Sequence, residues 1–132
     1  MNKGFTLIEL LVTIAIVGIL AGLAVAQYQT YKEKAYNSAS ISDLRNLKTA
    51  QEAYYSDNDG YLISGSTNLL PGFLPSADVS STVTAAGTGD SSSYQAASKH
   101  SQSTSLFCYD HLFDDGVGAY QVRSGSSVAD CY

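Results

Sequence analysis

Few side chains in this sequence have types and spacings that suggest chemistry, and the first lies near the start. In "KGFTLIELLV" a glycine at 4 and an aromatic residue at 5 open a long apolar run that carries a single carboxylate, Glu9. A carboxylate in a membrane helix costs about 2.5–3.5 kcal/mol on insertion scales. It needs a cationic partner, or it must reach the interface by snorkelling from the helix end. The second group is Cys108 and Cys131, the chain's two cysteines. Outside the cytoplasm they can close a disulfide, and the apolar N-terminal segment argues for export, so a Cys108–Cys131 disulfide is expected; a reducing compartment would leave two buried thiols. His111 follows Cys108 by three residues, which permits a thiol–imidazole nucleophile on paper, but no third orienting group accompanies it. His100 is isolated. The third group is acidic. "DNDG" (Asp57 to Gly60) begins like a calcium loop but lacks that loop's later ligands, so it reads as a turn. Asp110, Asp114 and Asp115 cluster in sequence and are weak candidates for a metal.

Two kinds of element must position these groups. From Phe5 to Ala26 the chain is apolar apart from Glu9, and no further charge appears before Lys32. As a helix this run spans about 33 Å at about 1.5 Å per residue, enough for a hydrocarbon core of about 30 Å. Lys3 precedes it and Lys32 and Lys34 follow, so flanking charge alone does not set its orientation. "GLAVAQ" offers a passable signal-peptidase site, but the run exceeds a signal peptide's apolar region and the helical pattern continues past it. From Tyr28 to about Ser56 there is neither Gly nor Pro. Ala35, Ala39, Leu44, Leu47, Ala50 and Tyr54 recur at helical spacing, and Glu33, Asp43 and Glu52 interleave with bases on what reads as an exposed face. Residues 5–56 therefore predict one helix with an apolar first half and an amphipathic second half, ended at "SDNDGY".

The remainder differs in kind. Residues 57–78 are loop-like and hold both prolines, and residues 76–106 are rich in Ser and Thr. "SSTVTAA" and "SYQAASKH" suggest short strands. "SLFCYDHLF", "DDG" and "VGAYQVRS" make the strongest hairpin signal. The fold class is α+β: a long N-terminal helix packed on a small antiparallel β-sheet. No internal repeat is evident. Residues 57–132 hold eight acids against Lys99 and Arg123. Such an acidic half does not read as a nucleic-acid binder, because phosphate neutralisation needs clustered Lys and Arg. No CxxCH is present, so no haem or other cofactor is implied, and no Asn-x-Ser/Thr sequon occurs, although the Ser/Thr-rich stretch suits O-glycosylation.

With these elements in view, "KGFTLIELLV" resembles the processing site of the type IV pilins and the related pseudopilins. A short basic leader ends in Gly, then comes Phe, then an apolar run with Glu at the fifth position after the cut; Gly4, Phe5 and Glu9 fit residue for residue. The likeness is close over residues 1 to about 61 and general beyond. It implies a leader at 1–4, a transmembrane and filament-core helix at 5–28, and a globular head at 29–132 that includes the amphipathic half of the helix. It implies cleavage between Gly4 and Phe5 by a prepilin peptidase, and N-methylation of Phe5. Loss of Lys3 would then take the net charge from −5 to about −6. The implied partners are the inner membrane, then copies of the chain itself and a pilus or secretion assembly machinery. Glu9 would pair with a neighbouring subunit's new N-terminus, fixing the stagger between subunits.

The family's pilus subunits commonly carry a proline where this sequence has Ala26. Gly18 and Gly22, at small-xxx-small spacing, permit close helix approach. The missing proline favours a pseudopilin or a minor subunit, and puts in question the local helix melting associated with that proline. Some pseudopilins bind calcium in the C-terminal region, which would give Asp110, Asp114 and Asp115 a use. Phe5, Tyr28, Tyr31, Tyr36, Tyr55 and Tyr61 are spaced as in short pilins proposed to conduct electrons. Packing between subunits and at the membrane interface accounts for them more simply. The expected function is a structural pilus subunit rather than an enzyme. The alternatives are a pseudopilin of a type II secretion system and, from another class, a signal-anchored periplasmic enzyme or sensor.

Overall fold

The structure is a computed structural model that describes residues 4–63, 67–85, 91–113, 121–125 and 128–131. The chain forms two compact units, Met1–Lys34 and Ala35–Tyr132. One helix, α1 (Leu7–Asn58), contributes to both, starting and ending two residues later than the sequence pattern predicts. In the first unit α1 exposes every apolar side chain from Leu7 to Val25, and its apolar stretch is long enough to cross a membrane. The helix is unbroken at Ala26, whose carbonyl accepts a hydrogen bond from Thr30 Oγ1 at 3.3 Å. Nothing lies within 4 Å of a Cβ placed on Gly18 or Gly22, so the chain's own packing does not require glycine at either position.

In the second unit α1 buries Ser40, Asp43, Leu44, Leu47, Ala50 and Gln51 along one stripe. Leu44, Leu47 and Ala50 follow the apolar periodicity, whereas Ala35 is exposed and Ala39 and Tyr54 are half-buried. Asp43 corrects the sequence reading, which places it on the solvated face. Its carboxylate is buried because it accepts the Ser76 N–H at 2.6 Å and the Ser76 hydroxyl at 2.8 Å, binding the connection ahead of the sheet. Gln51 does the same for the segment after the helix: its amide donates to Leu62 O at 2.9 Å and accepts from Leu62 N–H at 3.0 Å.

The helix ends where Asp-Gly predicts, but the two residues divide the work differently. Asp59, not the glycine, takes the left-handed conformation, with φ 52°. Gly60 serves close approach instead: a Cβ there would stand 2.8 Å from Ser91 Oγ, beside the bond from Tyr61 N–H to Ser91 O.

Four strands follow: β1 (Val79–Ala85), β2 (Tyr94–His100), β3 (Ser105–Asp110) and β4 (Gln121–Ser124). They pair antiparallel in the order β1-β2-β3-β4. Val83 opposes Ala96, and Ala96 opposes Tyr109. That row, with Tyr94 and Phe107, meets Leu44, Leu47, Ala50, Tyr61, Leu70 and Phe73 in the main core. The alternate residues Ala97, Leu106 and Cys108 cluster with Cys131. Both faces of the central strands are thus buried, which explains why their sequence does not alternate cleanly between apolar and polar. The predicted C-terminal hairpin is present as the β3–β4 pair, with Cys108 opposite Gln121. Its first arm is shorter than predicted, since His111–Phe113 form a 3₁₀ turn. The "DDG" and "VGAY" portions lie outside the described residues.

Candidate processing and assembly segment

The first turn of α1 begins at Thr6, one residue ahead of the helix. Thr6 Oγ1 accepts the Glu9 N–H at 3.3 Å, while Glu9 Oε2 accepts the Thr6 N–H and the Thr6 hydroxyl, each at 2.9 Å. This reciprocal arrangement is a capping box: it supplies partners to backbone groups that a helix start leaves unpaired, and the carboxylate sits favourably at the positive end of the helix dipole. Sequence reasoning passes over Thr6, although Thr-x-x-Glu before an apolar run is the signature of such a cap. Glu9 is therefore held by hydrogen bonds within its own chain, yet it remains exposed. A carboxylate has about four lone-pair sites, so the contacts from Thr6 leave room for a cation.

Gly4 and Phe5 precede the cap, and Phe5 is 85% exposed. A Cβ on Gly4 would meet nothing within 4 Å, so the fold does not demand glycine there. A requirement for Gly4 would have to come from something that acts on the chain. Gly4, Phe5, Thr6 and Glu9 thus form one exposed block at the head of an apolar helix.

The remaining candidates lie in the second unit. Cys108 and Cys131 are joined, with Cα atoms 5.8 Å apart across 23 residues of sequence. Closing such a loop stabilises the fold by about 3 kcal/mol on the chain-entropy model. The disulfide consumes the Cys108 sulfur and removes the cysteine–histidine nucleophile considered from sequence. Asp110 accepts from Gln95 Nε2 at 2.8 Å and from Leu112 N–H at 2.9 Å, a structural use of its carboxylate. Asp114 and Asp115 lie outside the described residues, and no cluster of three metal-ligating side chains occurs among those described. "DNDG" is the helix end already described.

His111 belongs to an aromatic cluster that the sequence did not reveal. Tyr61 has ring contacts with Tyr55 at 4.7 Å and with Tyr94 and His111 at 4.8 Å. The Tyr61 hydroxyl stands 3.2 Å from Glu52 Oε2 and 2.9 Å from His111 Nε2. A carboxylate can only accept, so Tyr61 donates to Glu52 and accepts from His111 Nε2–H. Burial, aided by the Glu52 charge, pushes the Tyr61 hydroxyl up to about 12 from 10.0. Burial pushes Tyr94 up as well. Among the other aromatic residues of the N-terminal series, Tyr36 stacks on His100 with centroids 4.2 Å apart, while Tyr28 and Tyr31 are exposed.

The cap, the exposed apolar helix and the residues ahead of it form one N-terminal segment, and the similarity to known proteins includes it. Residues 1–25 match the family model described as the prokaryotic N-terminal methylation motif. The type IV major pilin protein PilA of Myxococcus xanthus is 40% identical over 60 residues, covering 46% of this chain and 27% of that protein. A type IV major fimbrial protein FimA of Dichelobacter nodosus is 41% identical over 93 residues, covering 67% and 58%. The type II secretion system core protein G of Pectobacterium carotovorum is 42% identical over 60 residues, covering 46% and 38%. The chain spans from about a quarter to three fifths of the length of these curated relatives. By its N-terminal segment the chain is similar to the type IV pilins and carries the N-terminal methylation motif.

Proposed function

We propose that this chain is a structural subunit of a type IV pilus. It is made as an inner-membrane precursor, cut between Gly4 and Phe5 by a prepilin peptidase and N-methylated on Phe5. Residues 1–4 are the leader, 5–28 the membrane-spanning and later filament-core helix, and 29–132 the head. The observation that carries this reading is the first unit itself: an apolar helix with no side chain buried, headed by the exposed block of Gly4, Phe5, Thr6 and Glu9. Such a surface needs hydrocarbon around it, then other helices. Gly18 and Gly22, which the chain's own packing leaves unused, suit close approach between helices of different copies.

Glu9 gives the assembly its register. Cleavage creates an ammonium at Phe5, and a neighbouring copy's ammonium can join Thr6 in satisfying the Glu9 carboxylate. A buried charge pair of this kind fixes relative position more than it adds stability. Glu9→Ala should leave membrane insertion intact and abolish or cripple filaments, measured as sheared filament yield per cell. Undiminished yield would refute the role given to Glu9.

A second reading is a pseudopilin of a type II secretion system. Two observations favour it: the similarity to the secretion core protein G, and the helix continuous through Ala26 where pilus subunits commonly carry proline. Its filament would stay in the periplasm. Surface filaments seen on intact cells, or a secretion defect without them, separate the two.

A further inference from the structure

Immediately after the apolar run, α1 carries a short belt of a different character. Gln27, Tyr28, Tyr31 and Lys34 line one side of the helix, continuous with Ala24 and Val25. Their spacing places them on neighbouring turns of one face. Tyr28 and Tyr31 are 60% and 72% exposed, and Lys34 is exposed as well. Lys32 lies across the Tyr28 ring at 5.7 Å, and Glu33 is the one acid in the segment.

Depth follows from helix geometry. If Phe5 to Ala26 fills the hydrocarbon, the backbone of Tyr28 lies about 3 Å beyond its edge, that of Tyr31 about 7 Å and that of Lys34 about 12 Å, at about 1.5 Å per residue. The headgroup layer extends roughly 5–8 Å beyond the hydrocarbon on each side. Helix side chains lean toward the N-terminus, here toward the bilayer, so the two phenols stand near the boundary, where an amphipathic ring is most stable, and the long Lys34 side chain reaches back to the level of the phosphates. Two lysines against one glutamate give the belt a net positive charge, and charge complementarity selects an anionic headgroup over a zwitterionic one.

We propose that Tyr28, Tyr31 and Lys34 form a binding face for the phosphate of an anionic phospholipid in the leaflet on the head side. The phenol O–H groups and the Lys34 ammonium donate to the phosphate oxygens, and the rings rest on the first carbons of the acyl chains. The face rests on the membrane-resident reading above and deepens it. It sets how far the precursor sits in the bilayer, and it must release its lipid when the subunit leaves for the filament.

The test uses the full-length precursor reconstituted in phosphatidylcholine vesicles. Electron spin resonance compares its association with spin-labelled phosphatidylglycerol and spin-labelled phosphatidylcholine. One lysine near a membrane surface is worth about a fivefold preference. The native protein should favour the phosphatidylglycerol label at least about fivefold, Lys34→Gln should lower that ratio about fivefold, and Lys34→Arg should keep it. Tyr28→Phe with Tyr31→Phe should lower it further while the rings still anchor the helix. A native ratio near one, or an unchanged ratio in Lys34→Gln, overturns the proposal. So does a preference lost only in Arg45→Gln, which would place lipid selection on the head. Lys34→Gln with unaltered lipid selection but fewer filaments would assign the face to a neighbouring subunit and overturn it too. Precursor that fails to float with the vesicles contradicts membrane residence itself, whereas floating precursor without selectivity overturns the lipid face alone.

Discussion

Thr6 and Glu9 hold each other across one helical turn, so neither can be changed without altering the other. Thr6→Ala removes the hydroxyl that receives the Glu9 N–H and donates to Glu9 Oε2. Losing such a cap costs about 1 kcal/mol of local helix stability, and it frees the carboxylate to swing away from where a neighbour's ammonium must find it. Thr6→Ala should therefore lower filament yield several-fold without preventing membrane insertion, and Thr6→Ser should restore it, read by quantitative immunoblot of sheared filaments. Yield equal to native in Thr6→Ala would show that the cap has no part in assembly. The position of Glu9 is legible from sequence because one charge in a long apolar run is conspicuous. Its partner is not, because threonine is unremarkable inside such a run until the three-residue spacing to a carboxylate is noticed. Asp43 misleads for the opposite reason. Its neighbours in sequence are polar, and only the return of the chain at Ser76 supplies the donors that let a carboxylate be buried.

At the scale of elements, the head is organised by polar groups on the helix that seize distant backbone. Gln51 pairs with both the N–H and the C=O of Leu62. Gln51→Ala leaves both backbone groups without a protein partner and should destabilise the head by about 2–4 kcal/mol. Denaturant unfolding of the detergent-solubilised full chain, followed by near-ultraviolet circular dichroism, measures this; a loss under about 0.5 kcal/mol would contradict the clamp. Tyr61 links the segment after the helix to the aromatic cluster, and its ionisation carries a sign. Because its hydroxyl titrates at about 12 in the folded chain against an ordinary 10.0, the folded state holds that proton more tightly than the unfolded state. Its contribution is full below pH 10 and is lost as pH rises through 12. Unfolding free energy should fall across that window, and Tyr61→Phe should flatten part of the fall. An identical slope in the variant would contradict the assignment. The helix, the four strands and the chain positions of the turns can be read from periodicity and from Gly and Asp placement. The 3₁₀ turn at His111–Phe113 cannot, because "HLF" continues the apolar pattern of β3 and only the tertiary contacts of His111 with Tyr61 and Tyr94 show that the strand has ended.

For the whole molecule, the proposed role requires one sequence to suit two surroundings in succession. The first unit has an apolar surface that water cannot satisfy. The second has its own core, a sheet whose central strands are buried on both faces and a disulfide fastening the C-terminal segment to β3. The disulfide can be anticipated from two cysteines and a membrane-type helix, because export and oxidation go together. Its place on the second face of the sheet cannot, since that depends on the path of the chain after β4. The central claim is that Phe5 becomes the subunit's first residue and that its amino group meets a neighbour's Glu9. Cryo-EM of filaments sheared from the native cells, with mass spectrometry of the mature N-terminus, tests this most directly. The account predicts N-methylated Phe5 as the first residue, apolar helices at the filament centre, and the Phe5 nitrogen within salt-bridge distance of Glu9 on an adjacent subunit. A mature chain that retains Met1 to Gly4, or a filament in which Glu9 faces no neighbouring amine, would contradict it.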